Sequence, residues 1–213
     1  MTILVEGCGS MDLEMIKEKA WQSMGKRQSH PDREPGYVFY HGQRVAQIAL
    51  TLREMIFPDQ TGDDDLIRVG GWFHDVGKGI EPHWEYGALI CRKILQDLCP
   101  PERLEGIVQI VGSHTLRKTK EYPYYVKLVQ DADILDHFGS QEIWLNFWHS
   151  AYRHQTVEDA LAFYDKSYRE HIQRVRGLLN YPESVVFFDE KDRFVTDFVE
   201  RLSAEARGKL IGR

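Results

Sequence analysis

Apolar residues recur every three or four positions along almost the whole chain, and this periodicity constrains the fold more than any other feature. Around residues 36–57, for example, Val45, Ile48 and Ala49 fall on one face of a helix. Strand signals are sparse, and the best of them is the short run from Ser184 to Phe188. Short connections between long periodic segments predict an all-α fold, a compact multi-helix bundle.

Proline and glycine residues divide the periodic stretches into segments of helical length, because proline cannot continue a helix and glycine weakens one. No internal repeat or low-complexity tract interrupts the series. We therefore predict a single helical domain over residues 1–213. Its helices are expected at about 12–28, 36–57, 63–77, after Pro82, after Pro101, 124–137, 141–152, 157–179 and 190–206.

The composition is that of an ordinary globular protein, with 42% hydrophobic and 28% charged residues. The net charge of −6 and the lack of a long basic stripe argue against a nucleic-acid polymer as partner. No stretch reaches the ~20 apolar residues of a membrane span, and the apolar run from Ile3 to Val5 is too short for a signal peptide. Three cysteines, Cys8, Cys91 and Cys99, form no C-x-x-C pair, so we expect a reduced, cytoplasmic location.

Several ionisable side chains fall on the apolar faces of the predicted helices, where charged groups are costly to bury. A single inward histidine is more often a hydrogen-bonded core residue than a metal ligand, and one inward aspartate can cap a helix or pair with an arginine. A set drawn from consecutive helices instead favours a shared divalent cation. The inward residues are His41, His74, His83, His114 and Asp131.

Asp75 directly follows His74, although neighbouring residues on a helix point about 100° apart. Both side chains can reach one ion if it lies between their directions or if the helix loosens there. Gly77 makes such a loosened helix end plausible, since glycine is the residue that most often ends a helix.

These residues resemble the HD superfamily of metal-dependent phosphohydrolases, whose pattern is a lone His, a His-Asp pair and a distal Asp. Here the pattern reads as His41 in YHGQRVAQIA, His74-Asp75 in GWFHDVGKG and Asp131 in LVQDADILDHFG. The resemblance implies a helical bundle of the HD-domain type with its core at about residues 37–139. Residues 140–213 then form a C-terminal helical extension, for which the sequence offers no motif.

The resemblance also implies a set of metal ligands. His83 in HWEYGA and His114 in VGSHT look like the histidines with which some family members hold a second ion. One ion is then expected on His41, His74, Asp75 and Asp131, and the other on Asp75, His83 and His114. Imidazole and carboxylate ligands without a cysteine predict one or two divalent ions per chain: Mn, Fe, Mg, Ni or Zn.

Two departures from the family patterns narrow the implied function. The segment after His114, TLRKTKEYPYY, differs from the HHE and GYP pattern of cyclic-dinucleotide phosphodiesterases, and the Glu-Asp of guanosine tetraphosphate hydrolases is missing. We expect an enzyme that cleaves a phosphate ester or anhydride of a small molecule with a metal-activated water. A nucleotide is the expected substrate, and dinucleoside polyphosphates stay open.

Two alternatives to an enzyme are compatible with the same sequence. One is a non-catalytic sensor that binds metal or nucleotide on the HD helical frame, and the other is a helical scaffold without metal. The complete ligand set together with Lys78 favours the enzyme. Its expected partner is a small phosphorylated substrate, neither a membrane nor a nucleic acid, and a homodimer is left open.

The same motif supplies candidates for the chemistry itself. The resemblance implies Asp75 as the catalytic carboxylate that bridges two ions. Lys78 lies four residues after His74, about one helical turn on, and can neutralise charge on a phosphoryl group. Its alternative role is that of a surface lysine near a helix C-terminus, where the helix dipole favours cations. The family match favours the catalytic role.

Three further cations are candidates for contact with the substrate. Arg44 can grip phosphate bidentately, but structural pairing with Asp133 or Asp136 is the favoured interpretation. Arg117 and Lys118 follow His114 and can attract an anionic substrate, although a short charge run is usually a solvated loop.

Overall fold

The computed structural model describes residues 11–212 and contains no β-strand in that range, which confirms the all-α prediction. The helices are α1 Leu13–Met24, α2 Tyr37–Ile56, α3 Asp64–Phe73, α4 His83–Leu95, α5 Pro101–Ser113, α6 Tyr124–Asp136, α7 Ser140–Tyr152, α8 Val157–Phe163, α9 Arg169–Arg176 and α10 Pro182–Ala206. A short 3-10 turn precedes α3, and a π-helical turn at Tyr164–Tyr168 joins α8 to α9.

The run from Ser184 to Phe188, the best strand signal of the sequence, lies in the first turns of α10. Ser184 and Phe188 are fully buried, whereas Val186 between them is 66% exposed. A strand would place all three side chains on one face, so the packing follows a spacing of four residues and not of two. Pro182 suits the start of this helix because the first helical N–H has no partner within the helix.

The crossing of α2 and α3 brings two parts of the motif together, and two glycines make it close. A Cβ atom on Gly42 would lie 2.6 Å from the carbonyl oxygen of Trp72, and one on Gly71 would lie 2.7 Å from the Cα of Ala46. Since neither distance leaves room for a side chain, the helices meet backbone to backbone only because both positions are glycine. His41, the residue before Gly42, is thereby held against the end of α3.

The turn after α3 is equally tight. The helix ends at Phe73, and the chain passes through this turn to His83 at the start of α4. A Cβ atom on Gly77 would lie 2.2 Å from the carbonyl oxygen of His83 and 2.6 Å from the backbone nitrogen of Gly87. The first turns of α4 therefore pack directly on the turn that carries Asp75. The chain has left the helix at this point, as the sequence predicted from Gly77.

Helices α7 to α10 pack beside the bundle of α1 to α6, with α10 in contact with α2, α6 and α7. The helix predicted over 157–179 consists of α8, the π-helical turn and α9. Tyr164 and Tyr168, at the two ends of this π-helical turn, are both buried.

The structure bears on two features of the sequence, the lack of a membrane span and the state of the cysteines. Among residues 11–212 there is no helix with the length and apolar character that crossing a bilayer requires. Cys91 and Cys99 are buried free thiols, and burial raises the pKa of the Cys99 thiol to about 11. Cys8 and the run from Ile3 to Val5 lie outside the described residues.

Candidate metal centre

Two histidine side chains, one from α2 and one from the end of α3, meet at the middle of the site. His41 and His74 are fully buried, and their Nε2 atoms lie 3.1 Å apart. Nδ1 of His41 donates to Oδ2 of Asp136 at 2.7 Å, and Nδ1 of His74 donates to the carbonyl oxygen of Gly71 at 2.8 Å. These acceptors fix both rings so that the Nε2 atoms face one point, as the outer partners of metal-binding histidines do.

The carboxylate beside this pair belongs to Asp133 and not to Asp131. Oδ1 of Asp133 lies 3.1 Å from Nε2 of His41 and 3.6 Å from Nε2 of His74. Asp131 points to another side of α6, where its carboxylate accepts the backbone N–H of Asn180 at 2.8 Å. The prediction that Asp131 joins the histidine pair is therefore wrong.

Helix geometry explains this correction. Residues two apart on a helix point about 200° apart, so Asp131 and Asp133 cannot face the same site. The helix α6 buries every residue from Leu128 to Asp136. Asp131 and Asp133 therefore both point into the interior, although in different directions. The apolar periodicity around Asp131 predicted that it is buried, but it could not show which residues its side chain contacts.

Asp75 connects the first histidine pair to a second group, formed by His83 and His114. Oδ1 of Asp75 lies 3.3 Å from Nε2 of His114 and 3.6 Å from Nε2 of His83, and its Oδ2 lies 3.9 Å from Nε2 of His74. Nδ1 of His114 donates to the carbonyl oxygen of Val111 at 2.8 Å. The structure thus brings these predicted residues together, while their role as ligands stays a prediction.

Both central carboxylates are held in the ionised form. Burial disfavours their charge, but nearby cations and hydrogen bonds outweigh burial. The pKa of Asp75 lies well below its ordinary value because of His74 first, then His114 and Lys78. The pKa of Asp133 is lowered in the same way, with the guanidinium of Arg117 as the largest stabilising neighbour.

The imidazole of His41 carries a proton when no cation is bound. Burial favours its neutral form, but the hydrogen bonds to Asp133 and Asp136 outweigh burial and raise its pKa to about 9. His114 shows the opposite balance, because burial lowers its pKa despite the neighbouring carboxylate of Asp75. The centre therefore holds ionised carboxylates beside imidazole nitrogens that face inward.

A divalent cation fits this set of side chains. Within residues 11–212, the buried atoms Oδ1 of Asp75 and Nε2 of His83 have no hydrogen-bond partner, and a cation gives both atoms one. Carboxylate oxygens and imidazole nitrogens are the ligands that Mn²⁺, Fe²⁺, Ni²⁺ and Zn²⁺ accept, with Mg²⁺ preferring the oxygens. Ligand atoms lie within 4.8 Å of one another in two groups that share Asp75: His41, His74 and Asp75, and Asp75, His83 and His114.

Two of the predicted cations lie at the rim of this centre. Nζ of Lys78 lies 3.4 Å from Oδ2 of Asp75, with 30% of the side chain exposed. Arg44 donates from Nε and Nη2 to the two carboxylate oxygens of Asp136 at 2.8 and 2.9 Å. Since Asp136 also holds His41, Arg44 has the structural pairing that the sequence favoured over a grip on phosphate.

A cavity of about 640 Å³ opens beside Asp133, a volume typical of small-molecule sites. Arg117 reaches into it and forms an ion pair with Asp133, whereas Lys118 is exposed and does not line it. The other lining residues include charged, polar, aromatic and aliphatic side chains from α6 to α9 and the loops beside them: Arg33, His137, Phe138, Glu142, Leu145, Asn146, His149, Phe163 and His171.

Sequence reasoning missed Asp133, Asp136 and His137 as parts of the centre. The run DADILDH offers three carboxylates and a histidine, and only the rotation of α6 decides which of them faces His41. Nδ1 of His137 donates to the carbonyl oxygen of Asp133 at 2.8 Å, and its ring centroid lies 4.6 Å from that of His41. Three aspartates in one buried helix were a signal in the sequence, because each buried aspartate needs a partner and several of them together indicate a charged site.

Comparisons with known proteins agree with the motif. Residues 38–137 match the HD domain. No curated protein sequence matches the chain.

Solved structures resemble the chain over almost its whole length. YpgQ from Bacillus subtilis, in complex with ADP, is 16% identical over 89% of this chain and 97% of its own, with a TM-score of 0.61. An HD-superfamily hydrolase from Bacillus thuringiensis is 22% identical over 92% of this chain and 99% of its own, with a TM-score of 0.66. A predicted HD-superfamily hydrolase from an uncultured Thermotogales bacterium is 18% identical over 91% and 92%, with a TM-score of 0.62. At these identities the likeness shows the fold.

Proposed function

Because this chain is an HD-domain protein, we propose that it is a metal-dependent phosphohydrolase that cleaves a phosphate ester or anhydride of a nucleotide. One observation carries the proposal: Asp75 is buried, ionised and shared between two groups of inward imidazole nitrogens. A scaffold has no need of such a centre, since unpaired buried charge destabilises a fold.

The distances between these side chains support a site for two ions. His41, His74, Asp75 and Asp133 would hold one ion, and Asp75, His83 and His114 the other. A bound divalent cation supplies Lewis acidity toward a phosphoryl oxygen and lowers the pKa of a water molecule. The acceptors behind the rings hold the imidazoles in place, so that the ligands need not reorganise on binding.

Lys78 and Arg117 add positive charge at the edge of the centre. Lys78 is fixed by Asp75 yet partly exposed, so its ammonium can neutralise charge on a phosphoryl group bound beside that carboxylate. Arg117 fixes Asp133 and lines the cavity, where its remaining N–H groups can donate to phosphate oxygens. Both residues thus orient the metal-binding carboxylates and the substrate.

The cavity supports a nucleotide as the substrate. Its volume suits a molecule of that size, and it joins the cationic Arg33 and Arg117 to the aromatic Phe138 and Phe163. Phosphate and a planar base need these two kinds of surface. The YpgQ structure, which holds ADP, adds support from a protein of similar fold.

The test compares Asp75→Ala with Asp97→Ala, a matched control at an exposed aspartate just after α4. Purified, Mn²⁺-loaded proteins are incubated with nucleoside mono-, di- and triphosphates, and released phosphate and pyrophosphate are measured. We expect turnover by the wild type and by Asp97→Ala, and a loss of at least about 100-fold in Asp75→Ala, because that carboxylate serves both ions. Equal turnover by Asp75→Ala would contradict the proposal, and tight binding without any turnover by the wild type would favour the sensor.

A further inference from the structure

The cavity has one wall from α6 and another from α7, and the two walls differ in chemistry. Asp133 on the α6 wall belongs to the metal centre. The α7 wall consists of Glu142, Leu145, Asn146 and His149, which share one helix face through spacings of three, four and seven residues. A substrate whose phosphate lies at Asp133 therefore has the rest of its structure available for contact with α7.

Two polar atoms on this wall are buried and find no hydrogen-bond partner in the part of the chain that the structure describes: Oε1 of Glu142 and Nδ2 of Asn146. The other oxygen of Glu142 accepts the hydroxyl of Tyr168 at 3.2 Å. The hydroxyl of Tyr164 lies near both side chains but makes no hydrogen bond of good geometry with either atom. Both residues line the cavity, and together they leave one acceptor and one donor, one helical turn apart, without a protein partner among residues 11–212.

This arrangement is unfavourable in the protein alone. Burial raises the pKa of Glu142 to about 7, because the hydrogen bond from Tyr168 only partly compensates the carboxylate. A buried donor or acceptor without a partner loses its hydration and receives nothing in return. A ligand with an N–H group beside an acceptor atom satisfies both side chains at once.

The aromatic and aliphatic side chains around these two residues favour a planar ring as the ligand. Phe138, Phe163, Val175 and Leu178 line the same cavity. The rings of Phe138 and His171 are nearly parallel, with an interplanar angle of 28°. A heterocyclic base combines a flat apolar face with an edge that carries an N–H donor next to a carbonyl oxygen or ring nitrogen, and extruded bases are bound by such pockets. A sugar ring is puckered and carries hydroxyl groups in place of a planar edge, so it offers less area for stacking on an aromatic side chain.

We propose that Glu142 and Asn146 are the specificity-determining residues for the base of the nucleotide. Glu142 accepts an N–H of the base edge, and Asn146 donates to the neighbouring carbonyl oxygen or ring nitrogen. The inference rests on the proposed function for the position of the phosphate, whereas the base contacts follow from the α7 wall itself.

The first experiment separates the base from the phosphate. The values of kcat/KM are measured for the four common nucleoside triphosphates and for inorganic tripolyphosphate, which has no base. The variants are Glu142→Leu and Asn146→Leu, which keep the side-chain volume but remove the polar atoms, and the control is Glu158→Leu at an exposed position of α8. We expect each cavity variant to lower kcat/KM for the preferred nucleotide about tenfold more than for tripolyphosphate. Losses of equal size on both substrates would overturn the proposal.

The second experiment needs neither metal nor turnover. Nucleosides, which carry no phosphate, are titrated into wild-type and variant proteins in the presence of EDTA, and the heat of binding is recorded. We expect binding of at least one nucleoside by the wild type and by Glu158→Leu, and weaker binding by both cavity variants, whose folding is checked by their melting curves. Wild-type affinity in both folded variants would overturn the base assignment even if phosphate hydrolysis is found. Weakened nucleoside binding in a protein that hydrolyses nothing would leave the base assignment standing and remove the proposed enzyme.

Discussion

At the scale of single residues, the site depends on which nitrogen of each imidazole carries the proton. Nδ1–H of His41 donates a hydrogen bond to Asp136, and Nδ1–H of His74 and of His114 each donates to a backbone carbonyl oxygen. All three rings therefore point Nε2 into the buried interior, toward the carboxylates of Asp75 and Asp133. Without these acceptors the imidazole rings would be free to flip. The hydrogen bonds therefore fix the orientation of the three rings before a cation binds.

Metal binding is expected to release a proton from His41. Its pKa of about 9 means that Nε2 is protonated at pH 7, and a cation must displace that proton to bind there. The apparent affinity for Mn²⁺ should therefore fall about tenfold for each pH unit below 9, and calorimetry in buffers of different ionisation enthalpy should show about one proton released at pH 7.

The same raised pKa has a consequence for stability. The pKa of His41 in the folded protein lies above the unfolded value of 6.5. The metal-free fold therefore gains stability that is complete below pH 6.5 and is lost as the pH rises through 9.

The prediction for metal binding has a clear contrary outcome. Equal Mn²⁺ affinity at pH 7 and pH 8.5, with no dependence on the buffer, would show that metal binding does not release a proton from His41.

At the scale of elements, α6 serves two neighbours with carboxylates that point in different directions. Asp133 faces the histidine pair, and Asp131 holds the start of α10 by accepting the backbone N–H groups of Asn180 and Tyr181 and the side-chain amide of Asn180. The N-terminus of α10 thus receives the negative charge that a helix dipole favours there. One helix couples the metal centre to the C-terminal helices.

Replacing each of these two aspartates should show which of them binds metal. We expect Asp131→Ala to lower the free energy of unfolding by about 2–3 kcal/mol, because several buried N–H groups lose their acceptor. Its metal content should stay that of the wild type. Asp133→Ala should lose the metal, and its free energy of unfolding, measured from the midpoint in urea, should fall as well because Arg117 and His41 lose their buried partner. Metal loss in Asp131→Ala together with an unchanged midpoint would return Asp131 to the ligand set.

The sequence was informative where an element has one buried face. His41 lies on such a face of α2, and its inward position followed from the spacing to Val45 and Ile48. It was not informative for α6, because a helix buried on all sides gives the same pattern for any rotation. The strand signal at Ser184–Phe188 failed because β-branched and aromatic residues pack equally well on a helix once its neighbours require it.

At the scale of the whole molecule, the chemistry and its selectivity come from different parts of the chain. The metal centre is built from α2 to α6, whereas α7 to α9 supply much of the cavity wall. No motif marks the later helices, since recognition of a base needs only scattered polar atoms on a packed wall. Arg33 and Arg117 line the cavity together with Asp133, Glu142 and Asp159, so the two guanidinium groups offset part of the carboxylate charge that an anionic substrate meets there.

The proposed hydrolysis requires bound metal, and the number of ions on each chain can be measured. Wild-type and Asp75→Ala proteins are incubated with Mn²⁺, desalted and analysed by inductively coupled plasma mass spectrometry. Because Asp75 belongs to both ligand groups, we expect one or two ions per wild-type chain and a loss of the bound metal in the variant. A wild-type chain that retains no metal, or a variant that retains as much as the wild type, would contradict a metal centre built around Asp75.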